Sequence, residues 1–259
     1  MQALKIGASG MIAQQRKTAV VANNLANMNT TGFHRRRTEL QDLIYDQIKR
    51  PDNKHSKVGN DVPNGVQSGF GVALVENYRI AEQGSLRETG NAFDIAIQGS
   101  GYFQVQLPDG TAGYTRDGTF QLDSSGALVT TEGYLVQPSI SIPANAVDIV
   151  INANGEIQAK MDGQAGLSTV GQLTTVTFPN EAGLKPEGLN LFTEAPASGA
   201  PTSGIPGQGG FGVTLQGMVE SSNVNPVEEL AAMIAAQRAY ELNSKVIQTA
   251  DQMMAPLNG

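Results

Sequence analysis

Two heptad-spaced runs stand at opposite ends of the sequence, and they constrain everything between them. Near the C-terminus Leu230, Met233, Gln237, Tyr240, Ser244, Ile247, Asp251 and Met254 recur at spacings of three and four. This is the pattern of a helix with one narrow packing seam, and it predicts a helix over 226–255. The start is well marked. Asn225 stands where an N-cap belongs, Pro226 takes the first helical position, and Glu228 falls three residues after the cap. Such residues take up or dispense with the open N–H groups of a first turn. At about 1.5 Å per residue the helix is roughly 45 Å long. At the other end Leu4, Ala8, Met11, Gln15, Thr18, Ala22 and Leu25 repeat at four and three, and predict a helix over 3–27. Gly7 and Gly10 weaken its early turns, by on the order of 1 kcal/mol each against Ala. The two seams are read as partners, so the intervening chain must leave one helical layer and return to it.

Between them the period changes. A short helix is expected over 38–48, with Leu40, Leu43, Ile44 and Ile48 on one side. Residues 49–69 are polar and charged and carry Pro51, Pro63, Gly65 and Gly69, which reads as an extended arm. From Phe70 onward short alternating runs are separated by turn residues such as Pro108-Asp109-Gly110, Asp117-Gly118 and Ser125-Gly126. Strands punctuated this often imply an antiparallel β domain. The predicted fold class is therefore α+β. A discontinuous, coiled-coil-like helical domain is made of the N- and C-terminal helices and carries an inserted antiparallel β domain. The expected spans are 1–48 for the first helical part, 49–69 for the arm, 70–216 for the β domain and 217–259 for the second helical part.

Composition narrows the function. Net charge is -7, which disfavours a nucleic-acid binder. The charge is uneven: residues 1–60 hold ten basic and four acidic side chains, and residues 61–259 hold seven and twenty. Arg35, Arg36 and Arg37 are the densest basic run, with no interleaved aromatics, and are expected to face acidic groups on a neighbouring copy. There is no Cys, hence no disulfide or thiolate chemistry. No apolar run reaches the ~18 residues of a membrane span, and the first residues lack the apolar stretch of a cleaved signal peptide. His34 and His55 have no partner at metal-ligand spacing. Asp109, Asp117 and Asp123 sit at turn positions. A pair of carboxylates could serve a glycosidase, but nothing in their spacing selects one.

The ends also carry a recognisable signature. Ala22-Asn23-Asn24-Leu25-Ala26-Asn27 followed by Asn29-Thr30-Thr31-Gly32-Phe33, the stretch Ser222-Asn223-Val224-Asn225-Pro226-Val227-Glu228-Glu229-Leu230, and the segments Phe93-Asp94-Ile95-Ala96-Ile97-Gln98-Gly99 and Tyr114-Thr115-Arg116-Asp117-Gly118 resemble the bacterial flagellar axial proteins, the rod and hook subunits. The length suits a rod subunit with a single β domain, where hook proteins usually carry an additional one. The resemblance implies a structural subunit without enzymatic activity or cofactor. It also implies self-assembly into a helical homopolymer between the proximal rod proteins and the hook protein. P-ring and L-ring proteins would surround it, and the flagellar type III apparatus would export it without a cleaved signal. Self-assembly residues are then expected at Leu4, Met11, Asn23, Asn24, Leu25, Asn27, Asn29, Gly32 and Phe33. At the other end they are Asn225, Pro226, Leu230, Met233, Gln237, Tyr240, Ile247 and Met254. His34 stands where such proteins often have Lys, which would make the first basic contact pH-dependent. Other axial proteins of the rod or hook are the nearer alternative. A soluble binding module or a carbohydrate-active enzyme is the more distant one.

Overall fold

The computed structural model describes residues 2–49, 66–163 and 166–254. The chain is α+β and divides into two compact units. The helical unit comprises Met1–Leu25, Arg36–Tyr78 and Asn225–Gly259, and the β unit comprises Ala26–Arg35 and Arg79–Val224. Against the expected spans, the chain passes between units after residues 25, 35, 78 and 224.

In the helical unit, helix α1 spans Gln2–Ala26 and helix α2 spans Pro226–Met254. The cap of α2 forms as its sequence requires. The Asn225 Oδ1 accepts the Val227 N–H at 3.1 Å, and the Asn225 amide reaches the Glu228 carboxylate at 3.3 Å. The helix expected over 38–48 does not form. Its place is taken by strands Arg36–Asp42 and Tyr45–Lys49, which pair with Val72–Arg79 and Val66–Gly69 respectively. A short apolar run does not by itself distinguish helix from strand. Here sequence-distant partners complete the backbone ladder and decide it. The arm expected over 49–69 lies mostly outside the described residues, and its last part is the strand Val66–Gly69.

The β unit is built on a nine-stranded antiparallel sheet. Its centre is Tyr102–Gln106, flanked by Ala112–Thr115 and Leu135–Gln137. Ala146–Ile151, Glu156–Met161 and Leu167–Gln172 form a separate three-stranded meander. The main core gathers Ile95, Ile97, Phe103, Val105, Phe120 and Ile157, all essentially inaccessible to solvent. Phe103 and Phe120 meet edge to face at 5.0 Å, a favoured arrangement of their quadrupoles. The turn aspartates do what turn chemistry asks of them. Asp109 accepts from Thr111, Asp117 from Thr119 and Asp123 from Ser125, each two residues on. Residues 140–142 contribute a bridge at Ser141 and the buried side chains of Ile140 and Ile142. Near the end of the β unit the strands Val213–Gln216 and Met218–Glu220 are separated by Gly217 at φ 73°.

Candidate functional site

Two places concentrate unusual side-chain chemistry, one in each unit. In the β unit, three crossings of the chain are laced together. The Gly32 N–H donates to the Glu220 carbonyl at 2.8 Å, and the Arg35 N–H to Asn223 Oδ1 at 2.7 Å. The Ile80 N–H donates to the Arg35 carbonyl at 3.0 Å, and Asn223 Nδ2 to the Glu82 carbonyl at 2.8 Å. Gly32 sits at φ 65° against the Arg116-Asp117 backbone, where an added Cβ would lie 2.8 Å from the Asp117 nitrogen. A side chain there is excluded both by conformation and by space.

Under this lacing lies a buried charged cluster. Glu220 is 1% exposed and takes His34 Nε2 at 3.1 Å, Arg116 Nε at 2.7 Å and the Gly84 N–H at 3.0 Å. Arg116 spends its remaining donors on the carbonyls of Gly99 and Gly101. Burial pushes the Glu220 carboxyl up, but the His34 hydrogen bond, the Arg116 charge and the Gly84 N–H outweigh it and hold the carboxyl below its usual range. A carboxylate so fully occupied is a structural anchor, since a buried charge persists only when paired and hydrogen-bonded. The exposed turn acids point the same way. Hydrogen bonds from Thr111 and Ser125 hold Asp109 and Asp123 below the usual carboxylate range, opposite to what a general acid at neutral pH requires. Among the described residues no group of three or more His, Asp or Glu is placed to hold a metal ion.

In the helical unit the anchor is Asn24. It is buried, accepts the Arg36 N–H and donates to the Arg36 carbonyl, both at 2.9 Å, and donates to the Glu229 carboxylate at 3.2 Å. One side chain thus joins α1, the first strand and α2. Elsewhere α1 offers small residues to α2. Cβ atoms added at Gly7 and Gly10 would lie 2.8 Å from Ile247 Cγ1 and 2.9 Å from Asn243 Nδ2. Ala13, Ala236 and Ala250 are buried. Of the seam read from the sequence, Ile247 lies on this contact, whereas the buried Gly7, Gly10, Ala13, Ala236 and Ala250 were not assigned to it. Gln15, Thr18, Ala22, Gln237 and Tyr240, all assigned to that seam, instead line an open groove of about 490 Å³ together with Ala19 and Glu241. Several large apolar residues of α2 face outward: Leu230 is 47% exposed, Ile234 51%, Leu242 62% and Val246 50%.

The predicted site residues separate accordingly. Leu4, Met11 and Leu25 are half-buried, as are Met233, Ile247 and Met254. Leu230, Gln237, Tyr240, Asn225 and Pro226 are exposed, as are Asn23 and Asn29. Asn24 and Gly32, expected to contact neighbours, are buried within their own units. Asn27 accepts from Thr30 inside the β unit, and the Phe33 carbonyl accepts the Asn223 N–H there. Arg35 is held within the chain, 3.6 Å from Glu82, whereas Arg36 and Arg37 are exposed. His34, read as part of a basic run, is buried on Glu220 instead. Sequence reasoning missed Glu220, Arg116, Glu229 and the role of Gly7 and Gly10. The signal for the glycines was present, because their three-residue spacing is itself helical.

Three family models match the chain: "Flagella basal body rod protein" over 4–34, "Flagellar hook protein FlgE/F/G D1 domain" over 96–159, and "Flagellar basal body rod FlgEFG protein C-terminal" over 215–259. The flagellar basal-body rod protein FlgG of Caulobacter vibrioides is 54% identical over 254 residues, covering 98% of this chain and 97% of the relative. The chain belongs to the flagellar basal-body rod protein family. FlgG of Agrobacterium fabrum is 48% identical, again over 98% of this chain and 97% of its own length. FlgG of Bacillus subtilis is 37% identical over 99% and 98%. This rod protein is accordingly a structural subunit of the flagellar basal body, of the distal-rod type. The outer two family models fall on the two helices and the third falls on the β unit, so the matches follow the architecture.

Proposed function

We propose that the chain polymerises through α1 and α2 into a rigid hollow tube. The tube would pass torque along the axis to the hook and leave a channel for exported subunits. One observation carries this reading: α1 offers Gly7 and Gly10 to α2, and α2 turns Leu230, Ile234, Leu242 and Val246 outward. Contacts between copies that do not close on themselves generate helical tubes. The exposed members of the predicted set, Leu230, Gln237 and Tyr240 on α2 with Asn23 on α1 and Asn29 just beyond it, supply those contacts. The half-buried Leu4, Met11, Leu25, Met233, Ile247 and Met254 complete them. Arg36 and Arg37 add salt-sensitive pairing with acidic surface on the next copy, and the polar arm contributes further contacts between subunits. Proximal rod proteins, the hook protein and the P and L rings are the neighbours along the assembly. The flagellar type III apparatus delivers the subunit without cleaving it, and the subunit performs no catalysis. The test is complementation in a flagellated host whose own corresponding rod subunit has been deleted. Restored swimming, with basal bodies of full rod length by electron microscopy, is the expected result. Basal bodies that stop short despite normal expression of the chain would refute it.

A further inference from the structure

The outward residues of α2 are not scattered. Leu230, Ile234, Arg238, Leu242 and Val246 follow one another at intervals of four, which makes them one continuous ridge on the helix surface. The four apolar members are between 47% and 62% exposed. The ridge runs from Leu230 to Val246, roughly 24 Å at about 1.5 Å per step, and a single cation, Arg238, interrupts it at the centre. The groove on the same unit has the complementary character. It is lined by Ala19, Ala22, Gln15 and Thr18 from α1 and by Gln237, Tyr240 and one acid, Glu241, from α2. Both helices contribute to it.

Resting on the assembly reading above, we infer that the α2 ridge of one copy seats in the α1–α2 groove of the next, with Arg238 of the incoming ridge meeting Glu241 of the receiving groove. Three observations favour a second copy of this chain as the occupant. The ridge is apolar and interrupted once by a cation, and the groove carries one anion. The knobs are large, and the groove lining includes the two small residues Ala19 and Ala22, which leave room for a ridge-into-groove fit. Ridge and groove lie on one unit, so each copy offers one and receives one. The contact is therefore heterologous and propagates. The same helix pair thus has two kinds of face. Gly7 and Gly10 admit α2 within a copy, and the exposed large residues of α2 join it to another.

The charges give a test that separates contacts within a copy from contacts between copies. In the complemented host, Arg238→Glu places two acids against each other at every contact, and Glu241→Arg places two bases. Each variant alone is expected to reduce the yield of full-length rods at least tenfold, with helix content unchanged by circular dichroism. Co-expression of the two variants is expected to restore yield to within about threefold of wild type, because alternating copies re-create an opposite pair at every contact. A within-copy pairing cannot be rescued in this way. Because the chain has no cysteine, Ala19→Cys with Ile234→Cys provides a second readout. Basal bodies carrying both are expected to show a ladder of disulfide-linked species above the dimer on mild oxidation. Pairing Ala19→Cys with Gln248→Cys is expected to show none. Full yield from each charge variant alone, or equal ladders from the two cysteine pairs, would overturn the ridge-and-groove contact while leaving the assembly reading standing. Failure of the wild-type chain to build rods would overturn both.

Discussion

Glu220 shows how much one residue can decide. A carboxylate 1% exposed is tolerated because His34, Arg116 and the Gly84 N–H all converge on it. Removing one partner of a buried ion pair typically costs 3–5 kcal/mol, far more than the pair contributes over an apolar replacement. Glu220→Gln keeps the shape and loses the charge, leaving Arg116 buried and uncompensated. It should lower the unfolding free energy by about 3 kcal/mol in a urea titration, with fluorescence or circular dichroism as the probe. The folded carboxyl titrates below its ordinary value of 4.5. Its stabilising contribution is therefore complete above that pH and fades as pH falls through the folded value. Wild type should lose stability across that acid window, and Glu220→Gln should show a flatter profile there. None of this cluster is legible in the sequence. Residues 34, 116 and 220 are far apart in the chain, and an acid in a strand next to polar neighbours reads as surface.

At the scale of elements, the helices and most strands follow from local chemistry. Asn225, Pro226 and Glu228 marked the start of α2 to the residue, and the Asp-Gly and Ser-Gly turns marked the β unit. The failures have physical causes. Residues 38–48 became strands because Val66–Gly69 and Val72–Arg79 offered ladders that no local pattern reveals. The seam was placed only in part: Ile247 lies on the contact with α1, but Gly7, Gly10, Ala13 and Ala236 are small and do not stand out in the sequence as packing residues. Gly7 and Gly10 look like helix breakers by propensity. In the structure they are where α2 comes closest, with Ile247 and Asn243 occupying the space a Cβ would need. Gly7→Leu should therefore lower stability despite the better helix propensity of Leu, by about 1–3 kcal/mol of overpacking. Lys5→Leu, at an exposed position of the same turn, should leave stability within about 0.5 kcal/mol. Thermal melts of the two variants, followed at 222 nm, make the comparison.

At the scale of the whole molecule, the two units divide the work. The β unit has a conventional core of Ile, Val and Phe side chains and a satisfied charged anchor. The helical unit leaves Leu230, Ile234, Leu242 and Val246 in water. Each such side chain gains on the order of 1.5–3 kcal/mol when fully buried. A helix pair that leaves such side chains exposed depends on that further burial, since helix stability in proteins comes chiefly from packing. The plan of helical ends and an inserted β domain was legible from the sequence because hydrophobic period and turn chemistry are local. Which helix face turns inward was not, because that depends on a partner more than 200 residues away.

Hydrogen–deuterium exchange on the free subunit and on isolated rods tests this division most directly. If α1 and α2 carry assembly, amides in 3–27 and 226–254 exchange at least tenfold more slowly in rods than in the subunit. Amides in the core strands between 95 and 177 are protected equally in both states. Unchanged exchange in both helices on assembly, with new protection confined to the β unit, would contradict the account.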